Sequence, residues 1–334
     1  IVSLQQRDSI EVAFSEWPEV ETEHPLFRLD RSSDEISRQR QRQALEQARL
    51  ARGSRLAVLR DVLLGQQPPI FQAPDHPPLA DSTLNESQRA AVQFALTAED
   101  VAILHGPPGT GKTTTLVELI RQIVHTGQSV LVVAPSNLAV DNVLERLVAT
   151  GEQPVRLGHP ARVLPELQQH TLDELVQNHP EMRLSRRLTR EAYELRSQAS
   201  RYTRARPEPG ARQAQRQEAR QMLADARKIE DQVVERILNT AQIVCATTTG
   251  LDNSLLGGRL FDWCIMDEAS QGTEPGSWIP LQYANWLVLA GDPCQLPPTV
   301  ISNTARERGF NVSLMERLMD LLGPDIARRL TTQY

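Results

Sequence analysis

A chain of 334 residues with 40% apolar and 23% charged content is long enough for two or three domains, each with a buried core. No apolar run nears the roughly 20 residues that span a bilayer, and residues 1–12 lack a basic region followed by an apolar stretch. That leaves the cytoplasm as the expected compartment. A net charge of −6 excludes a coat of positive potential but leaves room for a local basic groove.

Cys245, Cys264 and Cys294 are too few and too scattered for a zinc site or a disulfide framework, and read as reduced, mostly buried thiols. The cations are nearly all arginine: of the 36 basic residues only Lys112 and Lys228 are lysine, the mark of a compositional bias. Lys112 falls where a compact ammonium is needed and a planar guanidinium would not fit.

In chain order, residues 1–30 carry short alternating runs around Trp17 and Phe27, consistent with small strands. From Ser33 to Gly65 the pattern predicts a long charged helix, capped by Ser33 or Asp34, with Leu45, Leu50, Leu56, Leu59 and Leu63 as a loose apolar stripe. A Pro-rich linker follows, "QQPPIFQAPDHPPLADS", whose prolines remove backbone donors. The chain does not open on Met and stops on "RRLTTQY" without a cap, so both ends are expected to be cut.

From Thr83 the grammar is α/β. "DVAILHG" and "SVLVVAPS" suit buried parallel strands, each followed by a helical stretch, Lys112 to His125 and Ala139 to Ala149. Further strands are predicted at "PVRLG", "AQIVCATTT", "FDWCIMDEAS" and "ANWLVLAGD". This alternation implies a doubly wound sheet with ligands at the carboxyl ends of its strands. Between Pro165 and Thr240 it is interrupted by an Arg- and Glu-rich helical hairpin broken at "ARPEPGAR". The hairpin reads as a solvated, ion-paired pair of helices; the other reading lets some of Arg183, Arg186, Arg187, Arg201 and Arg204 touch a phosphate backbone.

"GPPGTGKTTT" (106–115) has the phosphate-loop spacing, with an apolar strand before it and a helix after it. Within Gly106, Pro107, Pro108, Gly109, Thr110 and Gly111, the glycines let the loop's backbone N–H groups curl around the β-phosphate. Lys112 would reach the β and γ oxygens, Thr113 would ligate Mg2+, and Thr114 completes the loop. In "CIMDEAS", Asp267 suits a water-mediated hold on Mg2+ and Glu268 the base that activates water, although either alone could cap the next helix. The reaction implied is hydrolysis of the γ-phosphate of ATP.

In "LVLAGDPCQLPPT", Gln295 is placed to sense the γ-phosphate, unless the segment is an ordinary proline turn. Gln88, in "LNESQRAAVQFAL", either reads adenine or completes a capping box with Asn85; the chemistry alone leaves both open.

Taken together, Gln88, "GPPGTGKTTT", "APSNLAVDNVLERL", "CATTTG", "DEAS", "GDPCQLPP" and "TTQY" resemble, in order and spacing, superfamily 1 helicases of the B subgroup. The likeness is to the nonsense-mediated-decay helicase branch and most closely to the immunoglobulin mu-binding protein 2 type. It implies a RecA-like ATPase domain over 83–164 and 241–334, with 165–240 inserted, 67–82 as linker, 33–66 as a stalk helix and 1–32 as the last strands of an accessory β-barrel. It makes Gln88 the adenine reader and Tyr334 the residue stacking on the base. It places Pro135, Ser136, Asn137, Val140, Thr247, Thr248 and Thr249 against a single strand, where donors suit a sequence-independent grip.

The function the resemblance implies is an ATP- and Mg2+-dependent 5'-to-3' helicase or translocase on single-stranded RNA or DNA. The expected partners are that strand and a second RecA-like domain absent from this chain, in a monomer without a membrane. The rivals are a P-loop ATPase for assembly or remodelling and a nonhydrolytic nucleic-acid-binding module. Fast turnover would need cations from beyond Tyr334.

Overall fold

A computed structural model describes residues 2–5, 10–12, 35–72, 83–200 and 211–334. They fall into two compact units, Ile1–Glu35 and Ile36–Tyr334. In the first, β1 (Val2–Gln5) and β2 (Ile10–Val12) pair antiparallel. Trp17 and Phe27 lie outside the described residues, as do the expected helix caps Ser33 and Asp34.

The single long helix expected over 33–65 is two helices, α1 (Glu35–Leu50) and α2 (Arg55–Leu63). Gly53, at φ +62°, and the extended Ser54 interrupt it. The apolar stripe needs the same correction: Leu45 and Leu50 are 39% and 58% exposed, while Ala44 and Ala48 of α1 and Leu59 and Leu63 of α2 are buried. The break resets the helical phase, and on α1 the face that approaches the core closely is the small-residue face.

The second unit is built on a seven-stranded sheet in the order β5-β6-β4-β7-β8-β3-β9, parallel throughout. Its strands are β3 (Val101–His105), β4 (Val130–Ala134), β5 (Val155–Arg156), β6 (Ile243–Thr247), β7 (Phe261–Met266), β8 (Ala284–Gly291) and β9 (Ala327–Arg329). Because both faces are covered, the strands are continuous apolar runs whose alternate residues enter different cores. Val101 and Ile103 join one cluster with α1, α2 and α12 (Leu314–Leu322). Ala102 and Leu104 join the other, with α3 (Glu86–Thr97), α4 (Lys112–His125) and α5 (Asn137–Ala149).

The insertion expected at 165–240 comprises a short α6 (Leu172–Asn178) and an antiparallel pair, α7 (Met182–Ser200) and α8 (Ala211–Thr240). Ser185 Oγ donates to the carbonyl of Ala226 at 3.2 Å, and Arg236 pairs with Glu181. Residues 201–210, which hold the predicted break together with Arg201 and Arg204, lie outside the described residues. Short helices α9 (Asn253–Leu256), α10 (Glu274–Ser277) and α11 (Asn303–Glu307) complete the connections. Among the described residues no helix is long and apolar enough to cross a membrane.

Candidate active site

The strand order places the predicted motifs along one edge, at the carboxyl ends of β3, β8, β7, β4 and β6. That is where a doubly wound sheet binds ligands. A cleft of about 490 Å³ opens there, lined by Gly106, Lys112, Thr113, Glu268, Gln295 and Tyr334 among others. A larger hollow of about 710 Å³ lies around the amino ends of β5 and β6, away from every one of these motifs.

The 106–113 loop leaves β3 and enters α4 through Gly111, in the left-handed region at φ +74°. A Cβ at Gly106 would stand 2.8 Å from Lys112 Cβ, and one at Gly111 would stand 2.4 Å from Gln88 Nε2. The loop is therefore a cradle that side chains would fill, as backbone binding of a phosphate requires. Thr115 and Thr110 turn their hydroxyls onto the carbonyls of Gly111 and Pro107, at 3.0 and 2.7 Å. The Thr113 hydroxyl has no hydrogen-bond partner among the described residues, which suits a metal ligand.

Asp267 extends β7, its N–H donating to the carbonyl of Val133 at 2.8 Å, and Glu268 turns the chain at φ +51°. Among the described residues Glu268 is the only one other than glycine with a positive φ. For a residue with a Cβ this costs about 1–2 kcal/mol, a strain that gathers at functional sites. It aims the carboxylate inward: Lys112 Nζ lies 2.6 Å from Glu268 Oε1 and 3.4 Å from Asp267 Oδ1. Burial pushes the Asp267 pKa up, opposed by the Lys112 ammonium. Gln271 donates to Glu268 Oε2 at 2.9 Å and fixes its other oxygen.

Gln295 does not reach freely across the cleft, because its amide donates to Asp292 Oδ2 at 3.1 Å. Asp292 is 3% exposed and holds the Cys294 N–H at 3.0 Å and His105 Nε2 at 3.1 Å on its other oxygen. Burial alone would raise its pKa, but these hydrogen bonds outweigh it and hold the carboxyl below the ordinary range.

Gln88 makes the capping box: its Oε1 accepts from the Asn85 N–H and its own N–H donates to Asn85 Oδ1, both at 2.9 Å. Its amide also donates to the Thr110 carbonyl at 3.0 Å, bracing the phosphate loop. Of the two local readings, the capping box is the one these bonds make, in a side chain that is 3% exposed. Tyr334 arrives over the loop, its N–H donating to the Gly109 carbonyl at 2.9 Å and its hydroxyl accepting from Asn85 Nδ2 at 3.0 Å. Its ring is 78% exposed beside the cleft, as a stacking surface would be. Arg146, which the motif spacing did not single out, enters the same cleft from α5 and donates to Thr114 Oγ1 at 3.0 Å.

The expected strand contacts come together because β4 pairs with β6 in a register that sets Ala134 against Thr247. Pro135, Ser136 and Asn137 then adjoin Thr247 and Thr249, all at least partly exposed. Val140 is 0% exposed, its side chain packed in the core cluster that α5 joins. Thr248 is also buried, with its hydroxyl toward the Ala134 carbonyl at 3.5 Å.

A glycine-cradled lysine facing two carboxylates at the ends of parallel strands defines a P-loop NTPase with a RecA-like sheet. A family model described as an AAA domain matches residues 83–303, and the chain belongs to that family. It is 38% identical over 314 residues to the DNA-binding protein SMUBP-2 of Rattus norvegicus, covering 92% of this chain and 31% of that protein. It is 39% identical over 251 residues to the DNA polymerase alpha-associated DNA helicase A of Schizosaccharomyces pombe, covering 75% of this chain and 37% of that protein. The chain thus spans about a third of the length of these relatives. The kinship is the one the motifs resemble, with superfamily 1 helicases of the immunoglobulin mu-binding protein 2 type. A solved structure concerning DNA unwinding at forked double-stranded DNA by two coordinating Pif1 helicases aligns at a TM-score of 0.31 and 16% identity, covering 76% of this chain and 45% of that one.

Proposed function

We propose that this chain is the ATP-hydrolysing part of a 5'-to-3' helicase or translocase on single-stranded RNA or DNA, acting as a cytoplasmic monomer together with a second RecA-like domain. The observation that carries this reading is the meeting of Lys112, Asp267 and Glu268 at the end of β7, one strand away from the donors at the end of β4. Residues 1–32 would belong to an accessory barrel, and α1 with α2 to its stalk.

Lys112 would pass from the carboxylates to the β and γ oxygens of ATP as the triphosphate enters the loop. Glu268, relieved of its ammonium, would orient and deprotonate the attacking water, and Gln295 would register the γ-phosphate from its seat on Asp292. Thr113 and Asp267 would hold Mg2+, which supplies charge neutralisation on the phosphate oxygens. Tyr334 and Asn85 would border the base, with Gln88 positioning the loop beside it. Loss of the γ-phosphate would be felt along β7 and β4 by the strand-facing residues Pro135, Ser136, Asn137, Thr247 and Thr249.

The test uses Glu268→Gln in the full-length protein. ATP binding should persist while hydrolysis in the presence of single strands falls by roughly 10²- to 10⁴-fold, the size of a lost general base. Full turnover by this variant removes Glu268 from the role. Hydrolysis by the unsubstituted protein that no DNA or RNA stimulates supports the assembly-ATPase reading instead.

A further inference from the structure

Arg156, on the edge strand β5, is 1% exposed and heads the large side chains that are fully buried among the described residues. A buried guanidinium is tolerated only when its donors are matched. Here Nε donates to Asp141 Oδ1 at 3.1 Å, Nη1 to the Leu157 carbonyl, and Nη2 to Asn137 Oδ1 at 2.9 Å. Asp141, itself 2% exposed, uses its other oxygen to accept the Leu164 N–H at 3.1 Å. The cluster ties β5, α5 and the loop after β5 to the first residue of α5.

Asn137 is the partner that reaches the surface. Guanidinium has donors and no acceptor, so only the amide oxygen can face it, and the NH2 group must turn the other way. That Nδ2 has no partner among the described residues. Beside it, Ser136 Oγ accepts the Ala139 N–H at 3.2 Å, which leaves its own hydrogen to donate outward. The corner between β4 and α5 therefore presents donors, matched to an oxygen that only accepts, such as a backbone phosphate, whatever the base sequence.

We propose that Arg156 is a positioning residue for strand binding: by holding Asn137 Oδ1 it fixes the Asn137 NH2 toward the phosphate backbone of a single strand. This rests on the strand-binding reading above and adds a residue that no strand would touch.

The experiment measures binding of a fluorescein-labelled oligodeoxythymidine to the full-length protein by anisotropy, with thermal unfolding recorded for every variant. Asn137→Asp keeps an acceptor for Arg156 but replaces the outward donor with an oxygen. Its unfolding temperature should hold while affinity falls about tenfold or more, as for a lost hydrogen bond to a charged group. Asn137→Asp binding as tightly as the native protein overturns the assigned orientation.

In a cycle with Asn137→Ala, Arg156→Gln should weaken the native protein by about tenfold and leave the Asn137→Ala background nearly unchanged. Equal losses in both backgrounds make Arg156 a purely structural residue and overturn its positioning role. Should Arg156→Gln fail to fold, Asn137→Asp decides alone. A native protein that binds no strand overturns the proposed function itself, and this role with it.

Discussion

At the scale of single residues, the site depends on positions where backbone and side chain constrain each other. Gly111 has φ +74° and Gln88 Nε2 against it, so Gly111→Ala brings both left-handed strain and a collision. The strain alone should cost about 1–2 kcal/mol in urea unfolding, and the displaced loop should lose binding of a fluorescent ATP analogue. Asp292 gives a pH-dependent counterpart. Its hydrogen bonds lower its folded pKa beneath the unfolded value of about 3.9. Its stabilisation is therefore present above about pH 4 and disappears as pH falls through the folded pKa. Asp292→Asn should be the less stable protein at neutral pH, and the gap should close on acidification when unfolding is followed across pH. Lys112, Asp267, Glu268 and Gln295 were legible because their chemistry lies in short spacing at strand ends. The φ of Glu268 and the entry of Arg146 into the cleft were not, since both follow from tertiary register.

Elements show where sequence pattern stops being sufficient. Strands β3 to β8 and α4 stand where periodicity puts them, α4 over the predicted span, because a buried parallel sheet leaves an unbroken apolar signal, whereas the three-residue edge strand β9 was not anticipated. The stripe on α1 was misplaced because the helix packs through Ala44 and Ala48, and alanine adds little to a hydrophobic pattern. What fixes these helices is polar: Arg55 of α2 meets Asp100 at 2.7 Å, the Asn285 carbonyl at 2.7 Å and the Glu99 carbonyl. Asp100 is 2% exposed and also accepts the Ile70 N–H at 2.9 Å. Arg55→Met should cost about 2–3 kcal/mol, mostly by leaving a buried carboxylate short of its charged donor. Adding Asp100→Asn should recover part of that loss in the same denaturation assay, because the pair is coupled.

Across the whole second unit, the candidate nucleotide cleft and the corner proposed to bind a single strand share one edge and one intermediate β-strand. β7 stands between β8, which leads into Asp292 and Gln295, and β4, which leads into Pro135, Ser136 and Asn137. The turn after β7 touches both sides: Gln271 holds Glu268 at 2.9 Å, and Cα of Gly272 packs where a Cβ would stand 3.6 Å from Pro135 Cγ. A shift of Glu268 on nucleotide binding has a short packed route to the strand corner, and a strand pressing on Pro135 has the same route back. Coupling of this kind is a free energy and must be reciprocal. In the full-length protein, the factor by which a nonhydrolysable ATP analogue changes single-strand affinity should equal the factor by which the strand changes affinity for that analogue. Couplings of this type commonly lie between about 5- and 150-fold. Both can be measured by anisotropy with labelled strand and labelled nucleotide in turn. Affinities for each ligand that ignore the other would show that the shared strand transmits nothing, whereas Glu268→Gln should preserve the coupling because it changes hydrolysis and leaves the packing between Gly272 and Pro135 in place.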